Sequence, residues 1–159
     1  MMVKQVERGF EFVARVRHET DLFLQLPSRK TTFSAGYDFF LPKQTCFEPG
    51  QSYKIRTGIK AFMLPDEYLA LYIRSSLAIK HNLILKNCTG IIDSDYYNNP
   101  DNEGEIIVCI ENIGDRALLL DAGSAFAQGI FCKYMIASND ANISERAVRT
   151  GGIGSTTEK

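Results

Sequence analysis

Two carboxylates one residue apart, Asp93 and Asp95, follow Gly90-Ile91-Ile92 and are followed by Tyr96-Tyr97. A glycine with two β-branched residues reads as a strand, where residues two apart point to one face. The pair sets two acids at the open end of an expected hairpin, a candidate for chemistry. By itself it describes a solvated surface hairpin equally well. A second group, Arg74-Ser75-Ser76, joins a guanidinium and two hydroxyls to the free N–H groups of a helix start, the ingredients of an anion site. A third stretch, Arg149-Thr150-Gly151-Gly152-Ile153-Gly154-Ser155-Thr156, offers backbone N–H groups, hydroxyls and an arginine, a further cradle for phosphate. Gln128 sets an uncharged amide within an apolar run. Taken singly, each has a plain explanation as a cap, a loose C-terminus or an outward-facing amide.

The elements that must position these groups read as short strands. Phe10 to Val16 alternates apolar and polar residues, Ser34 to Leu41 runs to Pro42, and Tyr53 to Ile59 follows the Phe47-Glu48-Pro49-Gly50 turn. Tyr68 to Ile73 is apolar enough for a buried strand. Ser75 is the expected N-cap of a helix over Ser76 to His81, with Asn82 ending it in the left-handed conformation. The turn-rich run Asn98 to Gly104 connects Gly90–Asp95 to a second β-rich run, Glu105 to Glu111, so a β-hairpin is expected. Leu118 to Leu120 and Phe126 to Met135 are the last strands. Many short strands, turn signals between them and little helix predict an all-β jelly-roll or barrel subunit over residues 1–136. Residues 137–159 are polar and glycine-rich, cannot pack a core and are expected to form a mobile C-terminal arm.

Composition narrows the function. A chain of 159 residues fits one domain with a proper core, and a net charge of −1 argues against a broadly cationic nucleic-acid binder. Met1 to Glu11 holds four charged residues and no apolar core, so no signal peptide is expected. No run approaches the ~18 apolar residues of a membrane span. Cys46, Cys88, Cys109 and Cys132 are widely spaced, which suggests small buried hydrophobes in a reducing cytoplasm. His18 and His81 have no neighbouring ligands, which disfavours a zinc enzyme.

The ordered combination is more telling than any one motif. Ala35-Gly36-Tyr37-Asp38, Arg74-Ser75-Ser76-Leu77-Ala78, Gly90 to Tyr96, Ala127-Gln128 and Arg149 to Thr156 occur in sequence. The series resembles the five motifs of the homotrimeric deoxyuridine triphosphatases (dUTPases), and it spans about Phe10 to Thr156. The resemblance implies a jelly-roll trimer with active sites between subunits, hydrolysing dUTP to dUMP and pyrophosphate with magnesium (Mg2+). Such an enzyme limits dUTP and supplies dUMP for dTMP synthesis, with no nucleic-acid or membrane partner.

Carried over residue by residue, the resemblance makes Asp93 the base that activates water for attack on the α-phosphorus. Tyr96 matches the ring under the deoxyribose that leaves no room for a 2′-hydroxyl. Asn87 matches the amide on the uracil edge, and the backbone of Gly90, Ile91 and Ile92 pairs with the base as another strand would. Arg74, Ser75, Ser76 and Gln128 match phosphate contacts. Asp38 matches an acid that reaches the metal through water. Arg149, Gly152, Ile153, Gly154, Ser155 and Thr156 match the lid over the triphosphate. Asp95 is read as structural.

Three departures stand out. Ile153 occupies the place of a phenylalanine that stacks on uracil, which implies weaker affinity unless Tyr97 or Phe126 compensates. Ala125 replaces an arginine three residues before Gln128, and residues 97–103 lengthen a loop as a plain insertion or as a trimer or partner contact. Two alternatives remain open. A dCTP deaminase of the same fold needs a glutamate where this chain has Cys109, three residues before Asn112, although a shifted alignment would offer Glu111. A nucleotide-responsive regulatory binding protein would have no need of Asp93.

Overall fold

The computed structural model describes residues 7–140, 146 and 149–152. In chain order its strands are β1 (Gly9–Phe12), β2 (Tyr37–Phe40), β3 (Thr45–Phe47), β4 (Ser52–Arg56), β5 (Ile59–Phe62) and β6 (Glu67–Ile73). Helix α1 (Ser75–His81) follows, then β7 (Leu83–Leu85), β8 (Gly90–Asp93), β9 (Ile107–Asn112), β10 (Leu118–Leu120) and β11 (Ala125–Lys133). They form a jelly-roll-like array of small antiparallel sheets that does not close into a barrel: β2-β11-β6-β8, β4-β9-β7, β1-β5 and β10-β3.

Alternation decides which face turns inward. In β9, Val108, Ile110 and Asn112 are buried while Ile107, Cys109 and Glu111 are partly exposed, and β4 alternates in the same way. The inward residues meet Phe39, Leu41, Phe47, Leu69, Leu83, Ile106 and Phe126 in one core. Burying a side chain of this size stabilises by about 1.5–3 kcal/mol. Among the described residues no buried side-chain nitrogen or oxygen lacks a hydrogen-bond partner.

Several expectations are corrected. Phe10 to Val16 is not one strand, because β1 ends at Phe12 and a 3-10 turn spans Ala14–Val16. The Tyr53 to Ile59 run is broken at Thr57-Gly58, where Gly58 takes a φ of +73°, so two strands, β4 and β5, replace one. Helix α1 begins one residue early, with Arg74 rather than Ser75 at the cap position and no side-chain cap bond. Asn82 does end it, at φ 54° and ψ 34°. Most consequential, β8 and β9 are not a paired hairpin. β8 pairs only with β6, while β9 pairs with β4 and β7 in the other sheet. The two strands splay, and a cavity opens between them.

Candidate active site

The cavity between β8 and β9 has a volume of about 270 Å3. It is lined by Gly90, Ile91, Ile92 and Asp93 of β8, Ile107, Val108 and Cys109 of β9, and by Leu71, Leu85, Asn87, Tyr96, Arg149 and Gly152. That volume lies just below the ~300–1,000 Å3 typical of ligand pockets. β8 is the edge of its sheet, so its outer row of backbone N–H and C=O groups faces the cavity instead of another strand. An edge of this kind accepts a planar hydrogen-bonding ligand as it would a further strand.

Asp93 ends β8, and the chain then tightens into a 3-10 turn over Ser94–Tyr96. Asp95 therefore does not continue the strand face. Arg149 nevertheless gathers both acids, donating from Nη2 to Asp93 Oδ2 at 2.6 Å and from Nε to Asp95 Oδ1 at 2.9 Å. Its guanidinium also lies 5.7 Å from the centroid of the Tyr96 ring. The arginine side chain is only 16 % exposed, whereas those of Asp93 and Asp95 are 51 % and 58 % exposed. The carboxylates thus stay open to solvent while the cation is tucked beneath them.

Tyr96 is buried and held at both ends of its hydroxyl. It donates to the Glu105 carbonyl at 2.9 Å and accepts from Asn102 Nδ2 at 2.7 Å. Burial pushes its phenol above the usual range, outweighing the lowering effect of the Asn102 bond. Beneath it Glu105, 1 % exposed, takes bonds from Arg15, Arg56 and the Gly58 N–H. Burial alone would raise the Glu105 carboxyl, but the bonds from Arg15 and Arg56 hold it below the usual carboxylate range.

The remaining candidates gather elsewhere. Arg74 Nε lies 3.3 Å from Asp38 Oδ1, and Gln128 stands opposite Asp38 across the β11–β2 pair. A Cβ at Gly36 would come within 2.4 Å of Gln128 Oε1, so only glycine leaves the amide its place. Ser75 and Ser76 are exposed at the start of α1, next to Arg74. This cluster and Asp93 occupy opposite ends of β6. Asp93 pairs with Tyr68, whereas Arg74 follows Ile73, six residues further on and roughly 20 Å away. Within one chain they do not meet.

Ile153, Gly154, Ser155 and Thr156 lie outside the described residues. Neither suggested substitute for a stacking ring lines the cavity. Phe126 is fully buried in the core, and Tyr97 turns away to donate to Glu11 at 2.8 Å beside Lys60 and Phe62. Ala125 begins β11 at a bulge opposite Phe40. Glu111 is bound to Lys86 at 2.7 Å and does not line the cavity, so it does not replace the acid that Cys109 lacks. The sequence reading missed Ile107 and Cys109 as cavity walls. Their only signal was the outward phase of β9, which says nothing of what faces it.

The chain as a whole is similar to known proteins. The dUTPase family model matches residues 24–157. A deoxyuridine 5'-triphosphate nucleotidohydrolase of Lactococcus lactis subsp. lactis is 42 % identical over 94 % of this chain and 97 % of its own length. One from Rickettsia canadensis is 36 % identical over 89 % of this chain and 95 % of its own. The crystal structure of dUTPase from Streptococcus mutans superposes with a TM-score of 0.72 at 39 % identity, covering 82 % of this chain and 98 % of that one. An edge strand ending in an aspartate, a buried tyrosine beside it and a match over most of the chain agree on one assignment: the chain belongs to the dUTPase family.

Proposed function

We propose that this protein hydrolyses dUTP to dUMP and pyrophosphate, with Asp93 as the general base. The observation that carries the reading is the cavity bounded by the open edge of β8, the Asp93 carboxylate and the buried Tyr96 ring. Uracil pairs with the backbone of Gly90 to Ile92 and with Asn87, and the deoxyribose rests on Tyr96. A 2′-hydroxyl has no room against a ring pinned by two hydrogen bonds. Asp93 takes a proton from water as its oxygen bonds to the α-phosphorus, and the bond to the pyrophosphate oxygen breaks. Arg149 moves from the two aspartates to the phosphates.

Arg74, Ser75, Ser76 and Gln128 bind phosphate from a neighbouring copy, because one chain keeps them at the other end of β6. This separation supports active sites between subunits, and the homotrimer is the family's form. Among the described residues there is no cluster of three ligating side chains, so a magnesium ion would draw on few protein ligands. Asp38, a hard oxygen donor beside Arg74, would approach it through water. When bound, the ion neutralises phosphate charge and aligns the leaving group. Residues 137–159 act as the arm over the site, and the enzyme works in the cytoplasm.

The test is pyrophosphate release from dUTP, dCTP, UTP and dTTP with magnesium, for wild type and Asp93→Asn. Turnover of dUTP alone, lowered at least ~10³-fold by the substitution, is expected. Ammonia from dCTP would establish a deaminase, and binding of dUTP without turnover would establish a regulatory protein.

A further inference from the structure

The loop at residues 97–103 carries a consequence for the arm. Its turn is built around Asn99, which is 4 % exposed. Asn99 Oδ1 accepts from the backbone N–H groups of Asp101 and Asn102, each at 3.1 Å. Its Nδ2 donates to the Tyr96 carbonyl and to Asn102 Oδ1, each at 2.8 Å. Asn102 in turn holds the Tyr96 hydroxyl. The turn is also stitched to β5 and the chain after β1, with Lys60 Nζ donating to Asn98 and Glu103 and the Ala14 N–H donating to Glu103. It is a rigid extension of the Tyr96 wall.

Gly152 of the arm lies against this extension. The Gly152 N–H donates to Asp101 Oδ2 at 3.2 Å, and both Gly151 and Gly152 are buried. A Cβ on Gly152 would stand 2.9 Å from Asp101 Oδ2 and 3.1 Å from Asn102 Nδ2, so any larger residue would push the Asp101 carboxylate aside. Three residues earlier, Arg149 lies on Asp93, Asp95 and the Tyr96 ring.

We propose that the turn is a clasp for the arm and that Asp101 is a positioning residue for the reaction. By fixing Gly152, Asp101 sets where Arg149 sits relative to Asp93 and the incoming phosphates. The inserted residues then serve to seat the arm, and a docking surface for a separate partner is not needed to explain them. The effect on catalysis rests on the dUTP reading above; the clasp itself does not.

The experiment is a double-mutant cycle on the full-length protein with Asp101→Ala, Gly152→Ala and both together. Asp101→Ala should lower kcat/KM for dUTP by about fivefold to twentyfold, the loss of one charge-assisted hydrogen bond at a partly solvated site. Asp101→Asn, which keeps an acceptor, should recover most of it. Gly152→Ala displaces the same carboxylate, so the double variant should fall no further than the worse single one. Thermal midpoints should match wild type within ~2 °C, separating positioning from folding. Multiplying losses, or an unchanged kcat/KM in Asp101→Ala, would overturn the clasp. Should wild type not turn over dUTP at all, the functional reading fails instead. Hydrogen exchange at the Gly152 amide then decides the clasp, which stands if Asp101→Ala speeds exchange and falls if it does not.

Discussion

Replacing Glu105 with glutamine tests the support beneath the site. Glu105 is 1 % exposed, and its two oxygens take bonds from Arg15, Arg56 and the Gly58 N–H. Glutamine keeps the shape but puts an NH2 group against guanidinium donors. Removing one partner of a buried ion pair costs about 3–5 kcal/mol. Here the arginine side chains are 37 % and 55 % exposed, so they can turn to water and recover part of that. About 2–3 kcal/mol remains, and at ~2–4 °C per kcal/mol for a chain of this size Tm should fall by about 4–12 °C. The assay is calorimetry at pH 7 and fixed protein concentration, since association shifts apparent stability. Acid supplies a second reading. The folded carboxyl lies below its usual value of 4.5, so its contribution is fully present above pH 4.5 and disappears as pH falls through the folded value. The gap between wild type and Glu105→Gln should therefore narrow below pH 4.5. A drop under 2 °C at pH 7, or a gap that stays constant to pH 3, would refute the reasoning.

Two other outcomes follow from the site. Arg74→Ala and Asp93→Asn chains should each be nearly inactive alone. Assembled together they should regain about a quarter of the sites by random assortment, provided each site draws on two subunits; steady-state rates of the mixture check this, and no recovery refutes sites between subunits. Ile153→Phe should lower KM for dUTP, because base–aromatic stacking is worth about 1–3 kcal/mol. An unchanged KM would show that the position does not meet the base.

Features under local chemical control were legible in the sequence. Runs of β-branched and apolar residues between turn signals marked β9 and β11, the asparagine at 82 ended α1 because it tolerates a positive φ, and the ordered motifs singled out Asp93, Tyr96, Arg74 and Arg149 together. Even there, Thr57-Gly58 divided a run that looked continuous, since one positive φ reverses the chain without interrupting apolar character. Strand pairing, by contrast, was set by long-range contacts. Adjacent β-rich runs look like a hairpin whether or not they bond, and here β8 joins β6 while β9 joins β4 and β7. That choice opens the cavity, brings Ile107 and Cys109 to its wall and leaves the edge of β8 free. It also sets Arg74 at the far end of β6 from Asp93, and Gly152 against Asp101, 51 residues earlier in the chain. Contacts at such separation depend on sheet order and register, which no local pattern records.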